Sequence, residues 1–160
     1  MINMEERAKR AAESRTEQMY VVRARYLNSA GRLFGGDLMA WIDETGAMTA
    51  RRHCNAYVTT VAVDSLHFTK AVHLRESVVL IGTVTHVGGT SMEVRVDSYT
   101  EDLDGKRERV NRAYLVYVAM KDDRPVRVPR LIVETEEERA EWEAGEKREK
   151  LRKERRRQGY

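Results

Sequence analysis

One helix-length apolar run followed by strand-length runs, joined mostly by short turns, leaves few folds open to this chain. The run Asp37 to His53 carries Leu38, Met39, Trp41, Ile42, Ala47, Met48 and Ala50 around most of a helical circumference, the pattern of a helix buried on several sides. After Asn55 the composition becomes that of strands. Tyr57 to Thr69 and Ser77 to Val87 are rich in Val and Thr, and Gly88-Gly89 supplies a hairpin turn into Thr90 to Glu101. Asp104-Gly105 then turns the chain into a last strand, Val110 to Met120. An earlier strand is expected where Tyr20, Val22, Ala24 and Tyr26 alternate with Val21, Arg23 and Arg25. No helices alternate with the later strands, which argues against a doubly wound parallel sheet. The expectation is an α+β fold in which one curved antiparallel sheet wraps a long central helix. A lone sheet rarely covers such a helix, so a dimer whose sheets run on side by side is expected.

The flanks differ from this middle. The pattern divides the chain into a charged N-terminal arm or short helix over 1–17, a main domain over 18–133 and a charged helical tail over 134–160. Pro125 and Pro129 end the last strand. Beyond them Glu134, Glu136, Glu137, Glu138, Glu141 and Glu143 precede Lys147, Arg148, Lys150, Arg152, Lys153, Arg155, Arg156 and Arg157. Acid first and base last matches a helix dipole, so a solvated helix is expected. The basic end has no interleaved aromatic residues, which speaks against nucleic acid as a partner.

Bulk properties exclude several classes. The 160 residues, 41% of them hydrophobic, suffice for one domain with a real core. No apolar run approaches the roughly 18–20 residues that cross a bilayer, and Met1 to Glu17 lacks the apolar stretch of a secretory signal. No membrane association and a cytoplasmic location are the resulting expectations. Cys54 is the single cysteine, and His53, His67, His73 and His86 show no metal-ligand spacing. No metal site is expected, and neither a Gly-x-Ser-x-Gly elbow nor a Walker loop occurs.

The chemistry concentrates between Asn28 and Glu44. Gly35-Gly36 stands at the mouth of the apolar helix, where unpaired backbone N–H groups and a partial positive charge suit a developing oxyanion. About two turns on, Asp43 and Glu44 put carboxylates into an apolar helix, which is expensive without a partner or a task. Met39, Gly46, Ala47 and Ala50 share a stripe with Asp43. An ion pair with Arg51 or with a strand arginine accounts for Asp43 as well as catalysis does. Periodicity does not separate Asp43 from Glu44, because the helix is apolar on most sides. By pattern Asn28 reads as a turn residue, and the glycine pair serves equally to permit a tight turn. Thr60 and Ser91 are strand residues whose hydroxyls face either a site or ordinary strand neighbours.

An ordered set of motifs resembles the hotdog-fold acyl-CoA thioesterases (acyl-CoA hydrolases). It comprises the run from Asn28 through Asp43-Glu44 and Arg52-His53, then Val58-Thr59-Thr60-Val61-Ala62-Val63-Asp64 with Phe68. Gly88-Gly89-Thr90-Ser91-Met92-Glu93-Val94, Tyr117-Val118-Ala119-Met120, Pro125, Val128-Pro129 and the acidic segment Glu134 to Glu138 complete it. Leu74-Arg75-Glu76 departs from the family, which usually has a glycine before the acid, and Lys70 stands near a common proline. The resemblance implies hydrolysis of an acyl-CoA thioester to a fatty acid and coenzyme A, without metal or redox cofactor. It assigns the catalytic aspartate to Asp43, as general base or nucleophile, and makes Asn28 its companion across a dimer interface. Gly35 and Gly36 would then receive the thioester carbonyl, and Thr60 and Ser91 would face the substrate. Because coenzyme A carries phosphates, Arg51, Arg52 and Lys70 become candidates to bind them. Homodimers with shared active sites, assembled as a trimer of dimers into a hexamer, are implied as well. A hotdog dehydratase would present a histidine between Asn28 and Gly36, where none occurs, and the residues before the first strand are too few for a DNA-binding module. The alternative is a hotdog protein that binds acyl-CoA or nucleic acid without catalysis, using its basic tail.

Overall fold

The computed structural model describes residues 7–160. Residues 1–6 of the expected arm lie outside the described residues. The remainder of the arm is a two-residue strand, β1 (Lys9–Arg10), and one turn of helix, α1 (Ala11–Ser14). Ala11 and Ser14 are buried, and α1 packs on the long helix α2 (Gly35–Cys54). The Lys9 ammonium donates to the Arg52 carbonyl at 2.8 Å and to Asn55 Oδ1 at 2.5 Å. A cation thereby meets the negative end of α2, where Asn55 ends the helix in the left-handed region (φ 53).

The main sheet contains β2 (Thr16–Val21), β3 (Tyr57–Asp64), β4 (Ser77–Val87), β5 (Ser91–Glu101), β6 (Arg107–Lys121) and β7 (Arg124–Pro125). Its order is β2-β4-β5-β6-β3, with β7 added to β6 and every pair antiparallel. The first strand lies earlier than the alternation around Tyr20 to Tyr26 predicts. Its pairing ends where Val21 meets Ser77, the first residue of β4, and the chain then makes a 3-10 turn at Ala24–Tyr26. Likewise β3 ends at Asp64, because Ser65 takes a left-handed backbone (φ 54) that no strand continues. A short parallel pair joins β1 to β8 (Leu131–Ile132). No helix among the described residues is long and apolar enough to cross a membrane.

The central helix is buried on one face rather than several. Leu38, Trp41, Ile42, Thr45, Gly46, Thr49, Ala50, His53 and Cys54 form the buried stripe, whereas Ala40 and Glu44 on the opposite side are exposed. A single sheet covers one stripe of a helix and leaves the other open. The stripe packs on Val78, Leu80, Val84, Met92, Val94, Val96, Leu115 and Tyr117. Close approach needs missing side chains: a Cβ on Gly82 would lie 2.2 Å from Thr49 Oγ1, and one on Gly46 2.2 Å from the Tyr117 hydroxyl.

The last helix, α3 (Glu136–Gln158), begins with a capping box between Thr135 and Glu138. It lies on the sheet face opposite α2 and is held there by charge. Glu93, 2% exposed, accepts two hydrogen bonds from Arg148 (2.7 and 3.0 Å), one from Arg152 (3.1 Å) and one from Thr85 (2.8 Å). Asp64 pairs with Arg152 and Arg155, each at 3.2 Å. Trp142 lies tilted against His86 with centroids 4.1 Å apart, and Gly145 lets the helix backbone close on the same residue. The sequence pattern of a solvated helix thus misses a docked one, because the carboxylates that bind it lie on distant strands.

Candidate active site

Asp43 and Glu44 occupy different environments. Glu44 is exposed and accepts a hydrogen bond from Tyr20 at 3.2 Å. Asp43 is half-buried, and its Oδ1 accepts from Thr60 Oγ1 at 2.8 Å and from the Tyr117 hydroxyl at 2.9 Å. No ion pair joins Asp43 to Arg51 or to any strand arginine among the described residues, since Arg51 lies over the Tyr57 ring, 5.3 Å from its centroid. Thr60 and Tyr117 are directly paired across β3 and β6, so their side chains emerge together on the α2 side of the sheet. Pattern reading passed over Tyr117. The signal was present in its alternation with Leu115 and Ala119, all inward-facing, because a buried tyrosine needs a partner for its hydroxyl.

At the start of α2 no side chain caps the helix. The first acceptor available there, the Phe34 carbonyl, receives the N–H groups of Asp37 and Leu38 at 3.1 and 3.2 Å. The N–H groups of Gly35 and Gly36 have no protein acceptor among the described residues. Two half-exposed rings flank them: a Cβ on Gly36 would lie 2.4 Å from the Phe34 ring, and one on Gly35 3.4 Å from Phe68. The arrangement is an open donor pair between apolar walls. Asp43 lies seven residues further along the helix, about 10 Å away at about 1.5 Å per residue.

Asn28 is exposed in the loop before the helix. Its Oδ1 accepts from the backbone N–H of Ala30 (2.9 Å) and of Arg32 (3.1 Å), which leaves the Nδ2 amide as the outward end. No hydrogen bond among the described residues joins Asn28 to Asp43.

The remaining candidates separate. Arg51 and Arg52 line an open groove of about 1570 Å³ beside the end of α2, together with Tyr57, Met48, Lys121 and Arg127. Arg52 is also tied to the Arg15 carbonyl at 2.7 Å. Lys70 lies elsewhere, paired with Glu108. Ser91 opens β5 opposite Val118 and does not reach Asp43. His53 is buried with Nε2 2.9 Å from the Pro129 carbonyl, and burial lowers its pKa. The Cys54 thiol is buried too, and desolvation pushes its pKa up.

Comparison with known proteins gives a consistent set. Residues 30–105 match the family model of the thioesterase superfamily. The chain is 42% identical over 113 residues to the uncharacterized acyl-CoA thioester hydrolase YkhA of Bacillus subtilis (strain 168), covering 69% of this chain and 66% of that one. It spans only 20 to 32% of the length of the mammalian acyl-CoA thioesterases it also matches. Among solved structures, an acyl-CoA hydrolase from Staphylococcus aureus in complex with butyryl coenzyme A, coenzyme A and coenzyme A disulfide superposes with a TM-score of 0.89. The identity is 32%, over 95% of this chain and 94% of that one. An apo-hexameric acyl-CoA thioesterase gives 0.88 at 36% identity, over 92% and 96% of the two chains.

Proposed function

This chain belongs to the thioesterase superfamily, among the hotdog-fold acyl-CoA hydrolases, and on that premise we propose that it hydrolyses an acyl-CoA thioester to a free acid and coenzyme A. One observation carries the reading: Asp43 keeps Oδ2 open while two hydroxyls hold Oδ1. A carboxylate held on one oxygen offers the other to a water or a substrate. Asp43 takes a proton from water as the water oxygen attacks the thioester carbonyl. The oxyanion that forms is met by backbone N–H groups at Gly35 and Gly36, which lose no other hydrogen bond to do so. Collapse of the intermediate breaks the C–S bond, and the thiolate of coenzyme A leaves with the proton.

Two copies are needed. The roughly 10 Å between Gly36 and Asp43 along one helix exceeds the reach of a single reacting carbonyl, so the donor pair of one protomer serves the aspartate of another. The edge strand β3 supports this, since its outer backbone groups are unpaired among the described residues and Tyr57, Val61 and Val63 are 74, 54 and 48% exposed. Asn28 joins the donor side. With Oδ1 engaged by its own loop, its amide serves as a donor to the carbonyl rather than as an acceptor for water. The guanidinium groups of Arg51 and Arg52 in the groove suit the phosphates of coenzyme A. A hexamer built from such dimers is supported by the hexameric relative.

Thiol release from acyl-CoAs of short, medium and long chain tests the reading. Asp43→Asn should leave the fold intact and lower turnover by about 10²- to 10⁴-fold. Near-normal hydrolysis of every acyl-CoA by that variant would reject the assignment. A single turnover in ¹⁸O-water should label the released acid, whereas label found in Asp43 would mean direct attack by the carboxylate.

A further inference from the structure

Two hydrogen bonds from its own chain hold the Asp43 carboxylate, and the less conspicuous of these supports is a tyrosine from a strand 74 residues away. We propose that Tyr117 is a positioning residue for the reaction, fixing the plane of the Asp43 carboxylate through its hydroxyl so that Oδ2 faces the substrate. This rests on the assignment of Asp43 made above.

Three observations converge on it. The Tyr117 hydroxyl lies 2.9 Å from Asp43 Oδ1 and 3.0 Å from the Asp43 backbone carbonyl, so the single proton it donates is aimed at one residue, backbone and side chain together. The residue itself is 0% exposed, which removes competing water and fixes the ring by packing. Finally, the helix has no side chain where the hydroxyl passes, for a Cβ on Gly46 would sit 2.2 Å from its oxygen. Any larger residue at that turn would push the hydroxyl away from Asp43.

The partnership with Thr60 gives the arrangement its direction. Thr60 and Tyr117 are register partners in β3 and β6, and the ladder is irregular immediately afterwards, between Thr60 and Ala62. Both hydroxyls reach the same oxygen, Oδ1. Two donors on one oxygen define the carboxylate plane in a way that one donor, free to rotate, does not. Burial first, and then the negative charge and hydrogen bond of Asp43, raise the phenol pKa above its ordinary value. Tyr117 therefore stays a donor throughout the pH range in which a carboxylate works as a base.

Tyr117→Phe keeps the ring and removes the donor. The expected result is a fall in kcat of about 10- to 100-fold, within the range of lost general-base help, with little change in KM or melting temperature. In an Asp43→Asn background the same change should have almost no further effect on turnover. A wild-type kcat, with Asp43→Asn inactive, would overturn the role of Tyr117 alone. An active Asp43→Asn would instead remove the reading on which it rests. If the Phe variant does not fold, 3,5-difluorotyrosine placed at position 117 provides the second arm. Its more acidic phenol changes the strength of the hydrogen bond to Oδ1 while the ring keeps its place, so kcat should depart from the wild-type value with KM unmoved, and a wild-type kcat overturns the proposal.

Discussion

The two faces of the sheet bury their helices by different physics. On the inner face Met92, Val94 and Val96 of β5 pack against α2 by apolar area and close approach. On the outer face the alternate residues of the same strand, Glu93, Arg95 and Asp97, carry charge under or beside α3. Arg95 pairs with Glu141 at 2.6 Å, and Asp97 with Arg112 at 2.6 Å. Of the polar groups on the inner side, Thr60 and Tyr117 both donate to Asp43. The outer face is a network in which removing one member strands several others. On the inner face the cluster around Asp43 points to chemistry, whereas on the outer face the buried carboxylates point to attachment.

Glu93→Ala is the most severe test of that contrast. It leaves Arg148 and Arg152 without their buried carboxylate partner, and a loss of about 3–5 kcal/mol is expected in urea unfolding. Thiol release by the folded fraction should persist, because nothing on the inner face is touched. The wild type should show a matching acid sensitivity. Burial works to raise the Glu93 pKa, but hydrogen bonds from Arg148 and Thr85 and the charges of Arg148 and Arg152 outweigh it and hold the carboxyl below the usual range. Its contribution is complete above about pH 4.3, the unfolded value, and is lost as pH falls through the lower folded value. The Ala variant should lack that acid loss. A Glu93→Ala protein as stable as wild type would mean that α3 is held by Trp142 and Gly145 rather than by charge.

Gly46→Ala probes the inner face. A Cβ there meets the Tyr117 hydroxyl at 2.2 Å, and such overpacking costs about 1–3 kcal/mol, partly offset by about 1 kcal/mol of helix propensity. Turnover should fall more than stability does, and equal thiol release by the two proteins would show that the hydroxyl does not need its place. The smallest effect is expected from Arg155→Ala. Arg155 contacts Asp64 from a side chain 48% exposed, so solvent screening limits the loss to about 0–1 kcal/mol. A larger loss in calorimetry would extend the rigid part of the outer network to the end of the helix.

Much of the fold was legible because it depends on local pattern. Gly88-Gly89 ends β4 and opens the hairpin to β5, which begins at Ser91, and Ser77–Val87 is a strand from its first predicted residue to its last. Asp43 was narrower, since a helix apolar on most sides gives its two carboxylates equal standing and only family resemblance separated them. The part that was not legible is long-range. Tyr117 meets Asp43 across 74 residues, and Glu93 meets Arg148 across 55. In sequence Glu93 is an ordinary polar residue at an alternating strand position, and the basic end of α3 is an ordinary solvated helix.

By itself the sequence determined the central helix and the run of strands after it, because period, glycine and proline act within a few residues. It also determined that a carboxylate would stand on an apolar helix behind a glycine pair. Only the tertiary structure decided what that carboxylate touches, which face of the central helix stays open, and that the charged tail is docked rather than free. Hydrogen bonds and ion pairs form over about 3 Å in space without regard to separation along the chain, so they exist only once the sheet has brought its strands together.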